Sequence, residues 1–205
     1  MLLAIDIGNT NITIGLFDAQ KLQKTWRVST DSSRTSDEYG LQISNMLGSN
    51  KIINEVSICS VVPPLTPTFE VLCRRYFKVN PLTIGAGSKT GIKVMYDSPR
   101  DVGTDRIVDA AAVVHLYGGP AIIVDLGTAT VFDAITASSE YLGGAIAPGM
   151  GVSADALFRA TSQLRRVELS APDSAIGKNT QPVSYTHLRA HETLRYLVCR
   201  LLLEK

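Results

Sequence analysis

The feature that most constrains this chain is an internal echo. Leu2-Leu3-Ala4-Ile5-Asp6-Ile7-Gly8-Asn9-Thr10-Asn11 returns as Ala121-Ile122-Ile123-Val124-Asp125-Leu126-Gly127-Thr128-Ala129-Thr130. Each copy is an apolar strand, then Asp-x-Gly, then small hydroxyl or amide residues. Each leads into a second apolar strand, over 11–17 and over 131–136. The matched context on both sides predicts a duplicated unit.

Periodicity fills in the rest. Ile12, Ile14 and Leu16 alternate, as do Leu22, Trp26 and Val28, so three antiparallel strands open the fold, with bends at Gly15 and Asp18-Ala19-Gln20. Thr35-Ser36-Asp37-Glu38 offers cap residues for a helix carrying Tyr39, Ile43, Met46 and Leu47. A buried strand over 55–62 ends at Pro63-Pro64, a helix covers 66–77, and a short strand covers 82–84. Residues 89–99 read as irregular. An Ala-rich helix over 104–116 is entered through Val102-Gly103. After the second copy of the echo, a strand over 141–147 runs into Pro148-Gly149-Met150-Gly151 and a helix to 160. The first half reads strand, strand, strand, helix, strand, helix, and the second begins the same way.

Composition excludes several classes. The 205 residues carry 20 Lys and Arg against 19 Asp and Glu, a formal net charge of +1. That balance argues against a nucleic-acid binder working by phosphate neutralisation. No apolar run approaches the roughly 18 residues of a membrane span, and Asp6 interrupts any secretory leader. Cys59, Cys73 and Cys199 are scattered without CxxC spacing, so neither a disulfide framework nor a zinc site is expected. The expectation is a reduced, cytoplasmic protein.

The two Asp-x-Gly turns suit phosphate binding. Glycine lets the backbone approach an anion, and successive N–H groups form an anion nest. Thr10, Thr128 and Thr130 can donate hydroxyl hydrogens. A carboxylate repels phosphate, so Asp6 and Asp125 need a cation between, which points to Mg²⁺ or a monovalent ion. One such turn alone reads more readily as an ordinary hairpin than as a site; two in equivalent places reverse that preference and suggest a nucleotide held between half-sites. Gly103-Thr104-Asp105-Arg106 opens a helix, where anions are favoured. Arg106 can grip a carboxylate bidentately, and Asp105 can take a proton from a hydroxyl; a capping motif with a surface ion pair is an equal reading. Gly143-Gly144-Ala145-Ile146-Ala147-Pro148-Gly149 permits close backbone approach, to an adenine ring or across a tight sheet crossing. Gly177-Lys178-Asn179-Thr180 lacks the first glycine of a P-loop. His115, on an apolar helix, reads as structural, and Cys59 as core. His187 and His191 lack a third ligand for a metal site.

These residues resemble the type III pantothenate kinases of the acetate and sugar kinase/Hsp70/actin superfamily. Asp6-Ile7-Gly8-Asn9-Thr10-Asn11 is similar to that family's first phosphate motif, Gly103-Thr104-Asp105-Arg106 to its pantothenate motif, and Asp125-Leu126-Gly127-Thr128-Ala129-Thr130 to its second phosphate motif. The 143–149 segment resembles the adenosine-side motif, and Gly177-Lys178-Asn179-Thr180 the late substrate-contact segment. Spacing and order agree over 1–181. The resemblance implies an α/β fold, a duplicated actin-like (ribonuclease H-like) ATPase with two mixed sheets and flanking helices. Its halves would be 1–117 and 118–181, the second truncated.

It also implies a reaction: ATP phosphorylates the terminal hydroxyl of pantothenate, the first step toward coenzyme A. Asp105 would be the general base. Tyr96, Gly103, Thr104, Arg106 and Thr180 would hold the substrate. Asp6, Ile7, Gly8, Asn9, Thr10, Asn11, Ile12 and Thr13 would hold ATP phosphates, with Asp6 near Mg²⁺ and Thr128 contacting ATP. Asp125 would bind a monovalent cation, K⁺ or NH₄⁺. Members are homodimers with substrate pockets near the interface; neither nucleic acid nor membrane is a partner. Thr104 stands where an alanine is common, and a hydroxyl fits there. From Pro182 onward the chain matches nothing in the family pattern and reads as a foreign end rather than a divergent helix. A second sheet lacking its last strand would expose an edge and apolar surface, which Leu194, Leu197, Val198 and Leu201 could cover in part. Lower stability than in longer relatives is expected, and lost activity would follow if that cover fails.

A non-catalytic accessory relative, of the Bvg accessory factor group, is the competing reading. Such a protein is free to lose members of the set Asp6, Asp105, Arg106 and Asp125, and all four are present. A sugar or acetate kinase of the same superfamily is the third; those chains are longer and do not carry Gly-x-Asp-Arg before a helix.

Overall fold

The computed structural model describes residues 1–48, 51–85 and 87–162. The elements run β1 (Leu2–Ile7), β2 (Asn11–Asp18), β3 (Lys21–Ser29), α1 (Ser36–Leu47), β4 (Glu55–Ser60), α2 (Leu65–Leu72), β5 (Leu82–Thr83), β6 (Lys93–Val94), α3 (Thr104–Tyr117), β7 (Ala121–Leu126), β8 (Ala129–Ile135), β9 (Glu140–Pro148) and α4 (Met150–Ala160). One sheet has the order β3-β2-β1-β4-β5, the other β6-β9-β8-β7. Both mix parallel and antiparallel pairs. This is the α/β organisation of two mixed sheets with flanking helices that the sequence predicts. The chain divides into two compact units: Met1–Gly118 with Ser139–Tyr141, and Gly119–Ser138 with the described residues from Leu142 on.

Register builds the first unit's core. Leu3 pairs with Leu16 and Val56, Ile5 with Ile14 and Ile58, and Ile7 with Ile12. All eight are buried. Because side chains alternate across a strand, these cross-strand rows share one face. α1 and α2 cover it with Tyr39, Ile43, Leu47, Leu65, Phe69 and Leu72. The rings of Tyr39 and Phe69 meet at 4.9 Å between centroids. The Tyr39 hydroxyl accepts from the Asp31 N–H at 2.9 Å and donates to the Asp31 carbonyl at 3.1 Å, so the buried phenol is satisfied. α1 starts with a capping box: Thr35 Oγ1 accepts the Glu38 N–H while Glu38 Oε2 accepts the Thr35 N–H at 2.7 Å.

The helix expected over 66–77 is present as α2 followed directly by a π-type turn over Cys73–Phe77, closed by Lys78 at φ 59°. Two expectations are corrected here. The segment read as irregular contains β6, whose two residues pair in parallel with β9. His115 is exposed rather than structural; α3 buries little beyond Ala110, because only one side of this apolar helix packs. Cys59 is buried, as expected. No helix among the described residues is long and apolar enough to cross a membrane.

Phe69 fills the centre of the helix–sheet interface. Phe69→Ala should cost about 3–5 kcal/mol by leaving a cavity under Tyr39; a urea melt showing under about 1 kcal/mol would mean α2 is not integral to this core.

Candidate active site

In the first unit the chemistry gathers where the parallel strands β1 and β4 end. The face of β1 opposite the apolar core carries Asp6, in register with Thr13 of β2 and Cys59 of β4. Asp6 is exposed at the strand end. The next turn is tightly braced: the Gly8 N–H donates to the Asn11 carbonyl at 3.0 Å, and the Val61 N–H to the Ile7 carbonyl at 3.0 Å. Thr30 ties the turn down from β3's end. Its hydroxyl donates to the Gly8 carbonyl at 2.6 Å and its N–H to the Thr10 carbonyl at 3.0 Å. A Cβ on Gly8 would lie 3.0 Å from the Asn11 carbonyl oxygen, so the turn favours glycine. Asn9, Thr10 and Asn11 are exposed and Thr13 half-buried. Ile7 and Ile12 are fully buried, so they can serve a bound phosphate only through backbone.

α3 brings the second group. Gly103 is its N-cap, and Thr104, Asp105 and Arg106 form its first turn, as the sequence predicts. Thr104 Oγ1 donates to the Ser60 carbonyl at 2.8 Å, fastening this turn to the end of β4. The Thr104 hydroxyl is thus a structural tie. Asp105 Oδ1 accepts the Arg106 N–H at 2.8 Å, which orients the carboxylate. A Cβ on Gly103 would come 2.5 Å from that same oxygen, so glycine makes room for it. Arg106 Nη1 donates to the Tyr96 hydroxyl at 3.5 Å, and the Arg106 guanidinium lies over the Tyr141 ring, 5.6 Å from its centroid. Tyr96, Thr104, Asp105 and Arg106 are all half-buried.

Cys59 reports how close these acids lie. Burial, foremost, pushes its thiol up to about 11, and the negative charges of Asp6, Asp105 and Asp109 push the same way. The nearby Thr104 hydroxyl opposes them. Asp6 of β1 and Asp105 of α3 therefore both act on one buried thiol.

The second unit carries the other turn. β7 and β8 pair antiparallel from Ala121↔Ile135 to Leu126↔Thr130. The Gly127 N–H donates to the Ala129 carbonyl at 2.9 Å, a turn one residue tighter than the first, in which Gly8 reaches Asn11. Asp125, Gly127 and Thr128 are exposed, whereas Thr130 is buried, which removes it from the three hydroxyls read as phosphate donors. Gly149 explains part of the glycine-rich segment. Its N–H donates to the Thr128 carbonyl at 3.0 Å, and a Cβ there would strike the Gly127 and Thr128 carbonyl oxygens. The close approach is backbone against the Asp-x-Gly turn itself.

Mg²⁺ takes one or two carboxylates and a substrate's phosphates rather than a dedicated cage; Asp6, exposed at the end of β1, offers one hard oxygen donor that fits such an ion, and the exposed Asp125 of β7 offers another. Among the described residues no group of three His, Cys, Asp or Glu side chains is placed to hold a metal. Thr180, with Gly177-Lys178-Asn179, the tail from Pro182, His187, His191 and Cys199 lie outside the described residues. Sequence reading missed Thr30, Tyr141 and the buried Asp133 of β8; an Asp inside the apolar run Val131-Phe132-Asp133-Ala134-Ile135 was the available signal for the last.

Two outcomes follow. Gly149→Ala should displace the 127–129 turn and weaken nucleotide binding at least tenfold by calorimetry, about 1.4 kcal/mol or more, while unit one's core melts unchanged; unaltered nucleotide affinity would separate this turn from the site. Because folding raises the Cys59 pKa, its contribution to stability is full below the ordinary thiol value of 9.0 and is lost as pH rises through about 11. Urea melts between pH 8 and 11 should show a shallower decline for Cys59→Ala than for the parent chain, and parallel declines would contradict that.

The family model for type III pantothenate kinase matches residues 2–183. The chain is 49% identical over 184 residues to the type III pantothenate kinase of Brevibacillus brevis, covering 88% of this chain and 72% of that one. It is 52% identical to that of Moorella thermoacetica, with the same coverage of each. Among solved structures, a protein described as a conserved Baf family transcriptional activator from Campylobacter jejuni shares the fold. Its TM-score is 0.57 at 20% identity, over 96% of this chain and 78% of that one. With the family model spanning most of its length and about half of 184 aligned residues identical to curated members, the chain belongs to the type III pantothenate kinase family.

Proposed function

We propose that this chain transfers the γ-phosphoryl group of ATP to the terminal hydroxyl of pantothenate, giving 4'-phosphopantothenate, the first step of coenzyme A biosynthesis. The observation that carries this reading is the first turn of α3, where Asp105 and Arg106 stand together with Tyr96 beside the guanidinium. The membership of a family so named supports it.

ATP, carried with Mg²⁺, supplies the phosphoryl group, and phosphoryl transfer asks the protein mainly for positioning and charge neutralisation. The Asp6–Thr13 turn offers backbone N–H groups and the Thr10 hydroxyl to phosphate oxygens, with Asp6 near the Mg²⁺. Thr128 gives a hydroxyl to the nucleotide, and Asp125 a carboxylate to K⁺ or NH₄⁺. Arg106 holds the pantothenate carboxylate with Tyr96 and Thr180, while Gly103 and Thr104 shape the same turn. Asp105 takes the proton of the attacking hydroxyl. With Oδ1 engaged by the Arg106 N–H, Oδ2 is the oxygen that receives it. We assign the two strand–turn repeats to the two actin-like halves, 1–117 and 118–181, and leave 182–205 apart from both. A cytoplasmic homodimer completes the reading; the exposed Leu142, Ile146, Val152, Leu157 and Phe158 are apolar surface that an interface would cover.

Pantothenate-dependent ADP release by the 205-residue chain, in K⁺ and with Na⁺ in its place, tests the reaction. Release requiring both pantothenate and K⁺ is expected. Asp105→Asn should lower turnover by about 10²–10⁴-fold, the usual worth of a general base, and leave ATP affinity unchanged. Retained turnover would remove Asp105 as base, and pantothenate-independent release would remove the substrate.

A further inference from the structure

We propose that Tyr141 is a positioning residue that aims Arg106 at the substrate carboxylate; the inference rests on Arg106 as the carboxylate's holder. Tyr141 is wholly buried, so it cannot touch substrate and can act only through a neighbour. Its ring lies 5.6 Å from the Arg106 Cζ, within the range where a ring face attracts a guanidinium. The Tyr96 ring leans on it at 5.8 Å between centroids and 41° between planes. The Tyr96 hydroxyl accepts from Arg106 Nη1.

The backbone fixes this triangle. β6 and the start of β9 pair in parallel, Val94 opposite Tyr141. The Lys93 N–H donates to the Ser139 carbonyl at 3.0 Å and the Met95 N–H to the Tyr141 carbonyl at 2.9 Å. Tyr96 follows Met95 directly, so this two-residue strand pair sets Tyr96 beside Tyr141. An arginine side chain has many rotamers, and a site that reads a planar carboxylate bidentately needs one of them. A buried ring below and a phenol hydroxyl beside it select that rotamer before substrate arrives. The pairing also gives the two-residue β6 a purpose that its length does not.

The experiment is calorimetric titration of the full chain with pantothenate and with pantothenyl alcohol, which replaces the carboxylate by a neutral hydroxyl. Tyr141→Leu should weaken pantothenate binding about tenfold, the worth of a partly desolvated cation–ring contact, and leave the alcohol's affinity unchanged. Tyr141→Phe, which keeps the ring, should restore the preference for the acid. Equal losses for both ligands, or none for either, would overturn the positioning role. If Tyr141→Leu does not fold, pentafluorophenylalanine at position 141 inverts the ring-face charge at nearly the same volume; an undiminished preference for the acid would then overturn the role. Arg106→Ala tests the underlying reading separately. If it leaves the acid's preference intact, or the parent chain shows none, Arg106 does not hold the carboxylate and both readings fall. If Arg106→Ala abolishes the preference and Tyr141→Leu does not, only the role of Tyr141 falls.

Discussion

The site depends on the register between β1 and its two neighbours. Leu3, Ile5 and Ile7 meet Leu16, Ile14 and Ile12 on one side and Val56 and Ile58 on the other, and every one of these side chains is buried. A slip of one residue would send this set to the opposite face. The same alternation places Asp6 beside Cys59 on the face that α3 approaches, at the end where both parallel strands stop. A charged residue in a core strand is costly unless it lies at such an edge. The apolar rows therefore position the carboxylate.

α3 is attached to this edge by a polar tie beside half-buried apolar residues such as Ile107, Val108 and Val114. It buries little beyond Ala110, yet its first turn is pinned through Thr104 to Ser60. That division suits a helix whose N-terminus carries the chemistry. The turn that must not move is tied by a hydrogen bond to the strand end, and the helix's last residues are exposed, with Leu116 and Tyr117 among the most accessible apolar side chains.

The two halves of the echo solve one problem with different turns. The first is a longer loop braced from outside by Thr30; the second is tighter and braced by Gly149, whose lack of a side chain admits the Gly127 and Thr128 carbonyls. The strand pair and the Asp-x-Gly order recur, while each turn draws its support from elsewhere in the chain. A motif comparison sees the shared part. The supports are residues with no common pattern.

What the sequence determined by itself was everything with a short period or a local order. Alternation marked β2 and β3, apolar runs marked β1 and β4, the Thr35–Glu38 box marked the start of α1, and Gly103 marked the start of α3, because these signals lie within one strand or one helical turn. The order of the motifs carried the family, since each names a chemistry at a known spacing. Tertiary structure decided the rest. Tyr141 reaches Arg106 and Tyr96 across 35 and 45 positions of chain, and β6 is too short to show any periodicity; only pairing with β9 makes it a strand. Thr30 and Gly149 brace turns far from them in sequence. His115 reads as core because its helix is apolar, but which side of a helix is covered is settled by what packs there. Local patterns fix which residues a segment turns inward; only the folded chain fixes what those residues meet.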